Sequence, residues 1–335
     1  MGSVTKTMVA TLALQEVQRS RWTLSTTVDD VLPGLLPGHG SLTLEQLLSH
    51  RSGLPDYLPP IITGSSTNAE FFRKLSKRYT DRQLVRLALS QPWLFAPGSD
   101  FSYSNTNYVV VGMMLSRSNR KPLARLLSQR ILRPARMTSA SFPRSAWSHR
   151  PRLAEYAILK RAHSLRRSSP SLFSAAGAVV ANTRDLDRFY RALITGRLLA
   201  PRLLRTMVTQ KSTKTLKYGL GIYAVGDPCP GPNGQPQVLY GHDGATFGTQ
   251  TLAFTSADGT RQASIAWTGR QYVAAPPTAK PANDFLIEAF SANCPRPVPA
   301  PSPGAGPTQQ QRSAGQLALL QELVPADLEV HRPAP

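Results

Sequence analysis

The chain predicts an α+β fold: an antiparallel β-sheet flanked by helices and joined to a mainly helical region. Three observations predict it. Helix-period apolar patterns dominate the chain from Ser3 to about Leu132. Alternating runs rich in β-branched and aromatic residues crowd the stretch after Gly177. A closing helical pattern follows, before residues 295–335 turn rich in Pro and Ala.

The elements can be justified in order. From Ser3 to about Arg19, Met8, Val9, Leu12 and Val17 form an apolar stripe, the mark of an amphipathic helix. Pro33-Gly34 and Pro37-Gly38 are turn signals. Thr43-x-x-Gln46 is a capping-box pattern that opens a helix through Leu47-Leu48, ending near Gly53. Another helix is expected over about Asp81–Ser90. Pro97-Gly98 turns the chain into Tyr103-Ser104-Asn105, expected on a loop, and Tyr108–Leu115 and Leu123–Leu132 return to helix. Residues from about 40 to 175 therefore read as mainly helical, and 176–294 as the sheet part. In the sheet part a helix starts near Thr183, with Asp185 in its first turn to complement the dipole. Strands are predicted at Leu220–Val225, Val238–Tyr240, Thr249–Thr255 and Arg261–Thr268, the last two joined by an Ala257-Asp258-Gly259 turn. Ala282–Ala292 reads as a closing helix. Residues 295–335 have the composition of a disordered tail, with one short helical pattern at Gly315–Leu323.

With 335 residues, 41% of them hydrophobic, the chain can bury a large core. No apolar run reaches the roughly 20 residues of a membrane span, and no signal peptide is visible. The formal charge of +20 is unusual. It suits an anionic partner such as an acidic cell-wall polymer. Clusters such as Arg117–Lys121 lack interleaved aromatics, so nucleic-acid binding is not expected. Cys229 and Cys294 lie beside prolines and away from metal-ligand neighbours. They form either one disulfide, stabilising by roughly 4 kcal/mol in the chain-entropy model, or two unpaired thiols. No metal and no cofactor is expected.

Chemistry enters with Ser3-Val4-Thr5-Lys6. Residues three apart share a helix face, so Lys6 can reach the Ser3 hydroxyl, and a helix N-terminus favours developing negative charge. The spacing alone is weak, since Ser118-Asn119-Arg120-Lys121 repeats it just before Pro122. Two further motifs strengthen it. Tyr103-Ser104-Asn105 is the only Tyr-x-Asn in the chain, and His242-Asp243-Gly244, expected just before a strand, is the only His-x-Gly.

On these motifs the chain resembles the serine β-lactamase and penicillin-binding-protein superfamily, in its class C branch. It looks most like the secreted actinomycete D-Ala-D-Ala carboxypeptidases. Leu48–Leu54, Ala96-Pro97-Gly98, Ala175–Val179 and Tyr218–Gly221 carry the likeness beyond the motifs, over residues 1–294. The resemblance implies a β-lactamase/transpeptidase-like serine hydrolase acting through an acyl-enzyme. Its substrates would be D-amino-acid peptides, β-lactams or related amides and esters. It implies Ser3 as nucleophile, Lys6 and Tyr103 as proton handlers with the base left open, and His242 as a polar neighbour of Tyr103. Asn105 would hold the substrate amide, and the N–H groups of Ser3 and Ala245, beyond Gly244, would form the oxyanion hole. It also implies a Cys229–Cys294 disulfide and an extracellular or wall-associated location. The alternatives are an esterase or D-aminopeptidase of the same branch, or a non-catalytic penicillin- or wall-binding protein.

The chain departs from this pattern twice. Asp243 stands where the carboxypeptidases carry a threonine, and Tyr223 follows Gly219-Leu220-Gly221-Ile222 where they carry an arginine. Both family residues serve a substrate carboxylate, which an aspartate would repel. Arg270 is a candidate substitute, and Asp243 would instead suit a substrate ammonium. The second departure is that only Met1-Gly2 precede the motif, where the family has an export signal, a helix and the first sheet strands. The first strands are thus expected to be missing, through a misassigned start of a longer protein or through truncation.

Overall fold

The computed structural model describes residues 1–63, 67–143, 145, 153–158, 161–212, 214, 216–231, 234–271 and 279–294. The expected tail at 295–335, with its short helix, lies outside the described residues. The helical part opens with α1 (Val4–Gln18), followed by α2 (Val28–Val31), α3 (Leu44–Leu48), α4 (Leu58–Thr63), α5 (Asn68–Ser76) and α6 (Asp81–Leu89). Then come α7 (Asn105–Asn119), α8 (Leu123–Leu127) and one π-helical turn, Ser128–Leu132. The capping box expected at α3 forms in full: Thr43 Oγ1 accepts from Gln46 N and Gln46 Oε1 from Thr43 N. Thr27 and Thr80 start α2 and α6 in the same way, each satisfying a helix-end N–H.

Beyond these lie β1 (Tyr156–Ile158), β2 (Ala162–Ser164), a 3₁₀ turn at Pro170–Leu172, α9 (Ser174–Gly177), α10 (Thr183–Ile194) and α11 (Pro201–Val208). The main sheet follows as β3 (Lys217–Tyr218), β4 (Tyr223–Asp227), β5 (Gln237–Ala245), β6 (Thr249–Ser256) and β7 (Gln262–Thr268). β8 (Arg270–Gln271) and α12 (Ala279–Ser291) close the described chain. The five strands β3 to β7 lie in sequence order, each antiparallel to the next. A small second sheet has the order β2-β1-β8.

Both faces of the main sheet are covered, as side-chain alternation requires. Leu252 and Phe254 of β6 pack with Leu286 and Phe290 of α12, whereas Ala253 belongs to the core that holds α1 and α10. Residues 4–16 of α1 are buried all round, so α1 is a central helix and not the surface helix its stripe predicts.

Two further expectations need correction, and one feature is new. The predicted Leu220–Val225 strand is broken: β3 ends at Tyr218 and β4 begins at Tyr223, because the chain turns through Gly221 at φ 76°. His242-Asp243-Gly244 lies inside β5, not before a strand. The small sheet was not expected, since strands of two or three residues carry no readable alternation.

Candidate active site

Ser3 stands at the N-cap of α1 with helical φ −62° and ψ −14°, and its side chain caps nothing. An ordinary N-cap serine is extended and lends its oxygen to a helix N–H; this Oγ bonds no helix N–H. One turn on, Lys6 Nζ donates to Ser3 Oγ at 2.9 Å, to Asn105 Oδ1 at 2.7 Å and to the Ala176 carbonyl at 3.0 Å. Ser3 is half-exposed and Lys6 fully buried. Burial strips the ammonium of water and pulls its pKa from the usual 10.5 to about 7, against the opposing pull of the Asp56 and Asp243 carboxylates.

Tyr103 presents its ring face 4.7 Å from Lys6 Nζ. Its hydroxyl is buried with no full hydrogen bond among the described residues. Burial, followed by the charge of Asp243, pushes the phenol well above its usual range, although nearby Ser3 favours the ionised form. Asn105 begins α7 and joins two elements. Its Oδ1 accepts from Lys6, and its Nδ2 donates to Asp56 Oδ2 at 2.7 Å.

Behind Tyr103 runs a relay of rings. Ser104 N–H donates to His50 Nδ1 at 3.1 Å, so this ring carries its proton on Nε2, which faces Tyr218 Oη at 3.2 Å. Tyr218 Oη lies 3.1 Å from His242 Nε2, and His242 Nδ1 lies 2.6 Å from the Asp243 carbonyl. In the tautomer this order imposes, the donors all point one way, from the start of α7 to β5. Burial and the neighbouring Lys6 charge hold His50 well below the usual histidine range.

The two departures from the family pattern turn out to be partners. Tyr223 pairs with Gly241 across β4 and β5, so its diagonal neighbour on the same face is Asp243. Its hydroxyl donates to Asp243 Oδ1 at 3.1 Å and accepts from Asp243 N at 3.1 Å. The Asp243 side chain keeps 19% of its surface open. Arg270 is directed to the Thr246 carbonyl at 2.9 Å, just past the end of β5.

Two glycines bring β5 against the entry to α1. A Cβ on Gly244 would stand 2.0 Å from the Met1 carbonyl oxygen, and one on Gly2, at φ 56°, would stand 2.6 Å from Ala245 N. The backbone of Ser3 and that of Ala245 therefore meet along one seam.

The fold thus gathers Ser3, Lys6, Tyr103, Asn105, His242, Asp243, Gly244 and Ala245 around the start of α1. Cys229 and Cys294 form a disulfide at the far end of β4 and α12. Sequence reasoning assigned no role to His50, Asp56, Tyr218 or the Ala176 carbonyl. Asp56 left one signal, as the lone carboxylate in the apolar run from Gly53 to Ile62.

A central helix that offers a serine hydroxyl to a buried lysine, against an antiparallel sheet, is an arrangement suited to nucleophilic acyl transfer. The chain belongs to the Beta-lactamase family, whose model matches residues 1–275. It is 32% identical to a D-stereospecific amidohydrolase from Streptomyces sp., covering 86% of this chain and 85% of that one at a TM-score of 0.73. The fold is shared with D-amino acid amidase from Ochrobactrum anthropi SV3, at 22% identity, TM-score 0.69 and coverage of 87% and 82%. Among curated relatives, the putative penicillin-binding protein PbpX of Bacillus subtilis is 26% identical over 225 residues, which are 67% of this chain and 52% of that protein. The chain thus spans about half the length of that relative.

Proposed function

We propose that this protein hydrolyses amides of D-amino acids through an acyl-enzyme on Ser3, and that Asp243 receives the substrate's free ammonium. One observation carries the reading: the buried Lys6, brought to about pKa 7, donates to the Ser3 hydroxyl at 2.9 Å. A lysine near 7 is half neutral at physiological pH and can act as base, whereas Tyr103 is pushed away from ionisation. Lys6 then takes the Ser3 proton as Oγ bonds to the amide carbonyl carbon. The oxyanion faces the N–H groups of Ser3 and Ala245. As the C–N bond breaks, the proton passes from Lys6 through the Tyr103 hydroxyl to the leaving amine. Water then cleaves the ester, releasing the acid and restoring Ser3.

The Asp243–Tyr223 pair supports an ammonium over a carboxylate, because a partly open carboxylate repels one and attracts the other. The likeness to the Streptomyces amidohydrolase supports the amide and its D configuration. The test is a panel of D-Ala-p-nitroanilide, a p-nitrophenyl ester and an acyl-D-Ala-D-Ala peptide, run with wild type and Ser3→Ala. Turnover led by the anilide and lost in Ser3→Ala is expected. Preference for the acyl-D-Ala-D-Ala peptide would establish the carboxypeptidase reading instead, and turnover surviving Ser3→Ala would remove the mechanism.

The partner proposed for the rest of the surface is an anionic wall polymer outside the cell. At the far end of α1, Arg19, Arg21 and Arg130 surround the buried Glu16, and Arg117, Arg120 and Lys121 lie exposed nearby. Arg21 and Arg130 both reach Asn119, which joins the two groups. The disulfide is compatible with an oxidising, extracellular location. No described helix is long and apolar enough to cross a membrane.

A further inference from the structure

Lys6 is a donor and Asp56 is an acceptor, and Asn105 lies between them. Lys6 Nζ stands 2.7 Å from Asn105 Oδ1, and Asn105 Nδ2 stands 2.7 Å from Asp56 Oδ2. A carboxylate can only accept and an ammonium can only donate. The Asn105 amide therefore has one allowed orientation, set by its two neighbours. Asp56 is itself held: Oδ1 accepts from Leu58 N at 3.0 Å, and Oδ2 also accepts from Asn105 N at 3.3 Å. Its backbone carbonyl accepts from Gln91 Nε2 at 2.6 Å. Every acceptor on the residue is aimed, and its carboxylate also serves the helix-start N–H groups of Leu58 in α4 and Asn105 in α7.

We propose that Asp56 is a positioning residue: it locks the Asn105 amide with Oδ1 turned onto Lys6, and so keeps Lys6 aimed at Ser3. The inference deepens the acyl-transfer reading and rests on it. One N–H of Asn105 is committed to Asp56, which ties this asparagine to the lysine as well as to any substrate carbonyl. Asp56 has a second effect through charge. The groups that face Lys6 are Asp56 and His50 from the loop after α3, Tyr103 and Tyr108 from α7 and its approach, and Asp243 from β5. The α9 turn contributes only the Ala176 carbonyl. Of these groups, Asp56 and Asp243 are the two carboxylates that favour the protonated lysine.

Asp56→Asn is the discriminating change, because it keeps the shape and removes one acceptor. The new amide has a single oxygen for Leu58 N and for Asn105, so a donor must face a donor. The Asp56→Asn/Asn105→Asp exchange restores the side-chain order, with the carboxylate at 105 accepting from Lys6 and from the amide at 56, whose oxygen keeps Leu58 N, and it leaves one long contact, that of the backbone N–H at 105, without its acceptor. The readout is the rate of Ser3 labelling by a fluorophosphonate across pH, which needs no knowledge of the natural substrate. Asp56→Asn is expected to lower the plateau rate about 10- to 100-fold, as misplacement of a catalytic group does. It is also expected to move the acid limb to lower pH, since losing the negative charge makes Lys6 easier to deprotonate. The exchange variant is expected to recover at least a tenfold share of the plateau. Unchanged rate and limb in Asp56→Asn, or an exchange variant no faster than the single one, overturns the proposal. Wild type that fails to label overturns the acyl-transfer reading itself. The Lys6 titration, followed by carbon-13 NMR in wild type and Asp56→Asn, then still decides whether Asp56 acts on Lys6: a downward shift supports it, and coincident curves refute it.

Discussion

At the residue scale, the site uses a lysine whose burial opposes folding. Lys6 titrates near 7 in the native state and near 10.5 when unfolded. Between these values the unfolded chain holds a proton that the native state has released, so native stability rises with pH across that window. Below about pH 7 both states are protonated and the full penalty remains. Each unit is worth about 1.4 kcal/mol, and the orphaned Ala176 carbonyl takes back about 1–3 kcal/mol. Lys6→Met is therefore expected to abolish Ser3 labelling yet stabilise the fold by about 2–4 kcal/mol at pH 6, with the gain gone by pH 10. Urea melts at the two pH values check this; a destabilised variant at pH 6 would show that Lys6 is not strained. The serine and lysine were legible because their spacing needs only one helix. Ser118 and Lys121 share the spacing, but α7 ends at Asn119 and Arg120 turns left-handed at φ 49°, so no helix face joins them. Asp56 was not legible, because its role depends on a neighbour 49 residues away that the chain alone does not bring close.

At the element scale, α1 and β5 meet so closely that one seam sets the site. A methyl group on Gly244 would strike the Met1 carbonyl, which is backbone and cannot rotate aside. Gly244→Ala is expected to push β5 off the α1 entry, costing about 1–3 kcal/mol and lowering Ser3 labelling at least 100-fold. Gly226→Ala on the neighbouring β4 is the control: a Cβ there meets nothing within 4 Å, so melting point and labelling should stay near wild type. Equal effects of the two substitutions would refute the seam. Element legibility followed local signals. Helices α3 and α6 were readable because Thr43/Gln46 and the amphipathic pattern of 81–90 are contained within each helix. The strand at 220–225 was misplaced because its apolar run looks continuous, while the turn through Gly221 divides it. α4 was not predicted; its Pro59 and Pro60 both fall in the first turn, where the missing N–H costs nothing.

At the scale of the whole molecule, α1 is a spacer between two chemistries. Its 15 residues separate the Ser3 end from the arginine pole by about 22 Å at 1.5 Å per residue. At about 0.1 M salt, charge effects fade over roughly 10 Å, so the pole and the nucleophile should respond independently to ionic strength. Within the pole Glu16 is buried beneath Arg21 and Arg130, so its charge is paired inward. Contacts made by such a surface to a polyol-phosphate polymer displace counterions, and the affinity should fall on the order of tenfold or more between 50 and 200 mM salt. Co-sedimentation with anionic wall polymer across this range measures it, with Arg117→Ala/Arg120→Ala/Lys121→Ala expected to abolish retention. Fluorophosphonate labelling of the same samples should change less than about twofold, because an uncharged reagent meets Ser3 beyond the reach of the pole. Salt-insensitive retention would mean that the polymer is held by something other than charge. A labelling rate that followed the salt curve would mean that the pole and the active site are one electrostatic unit.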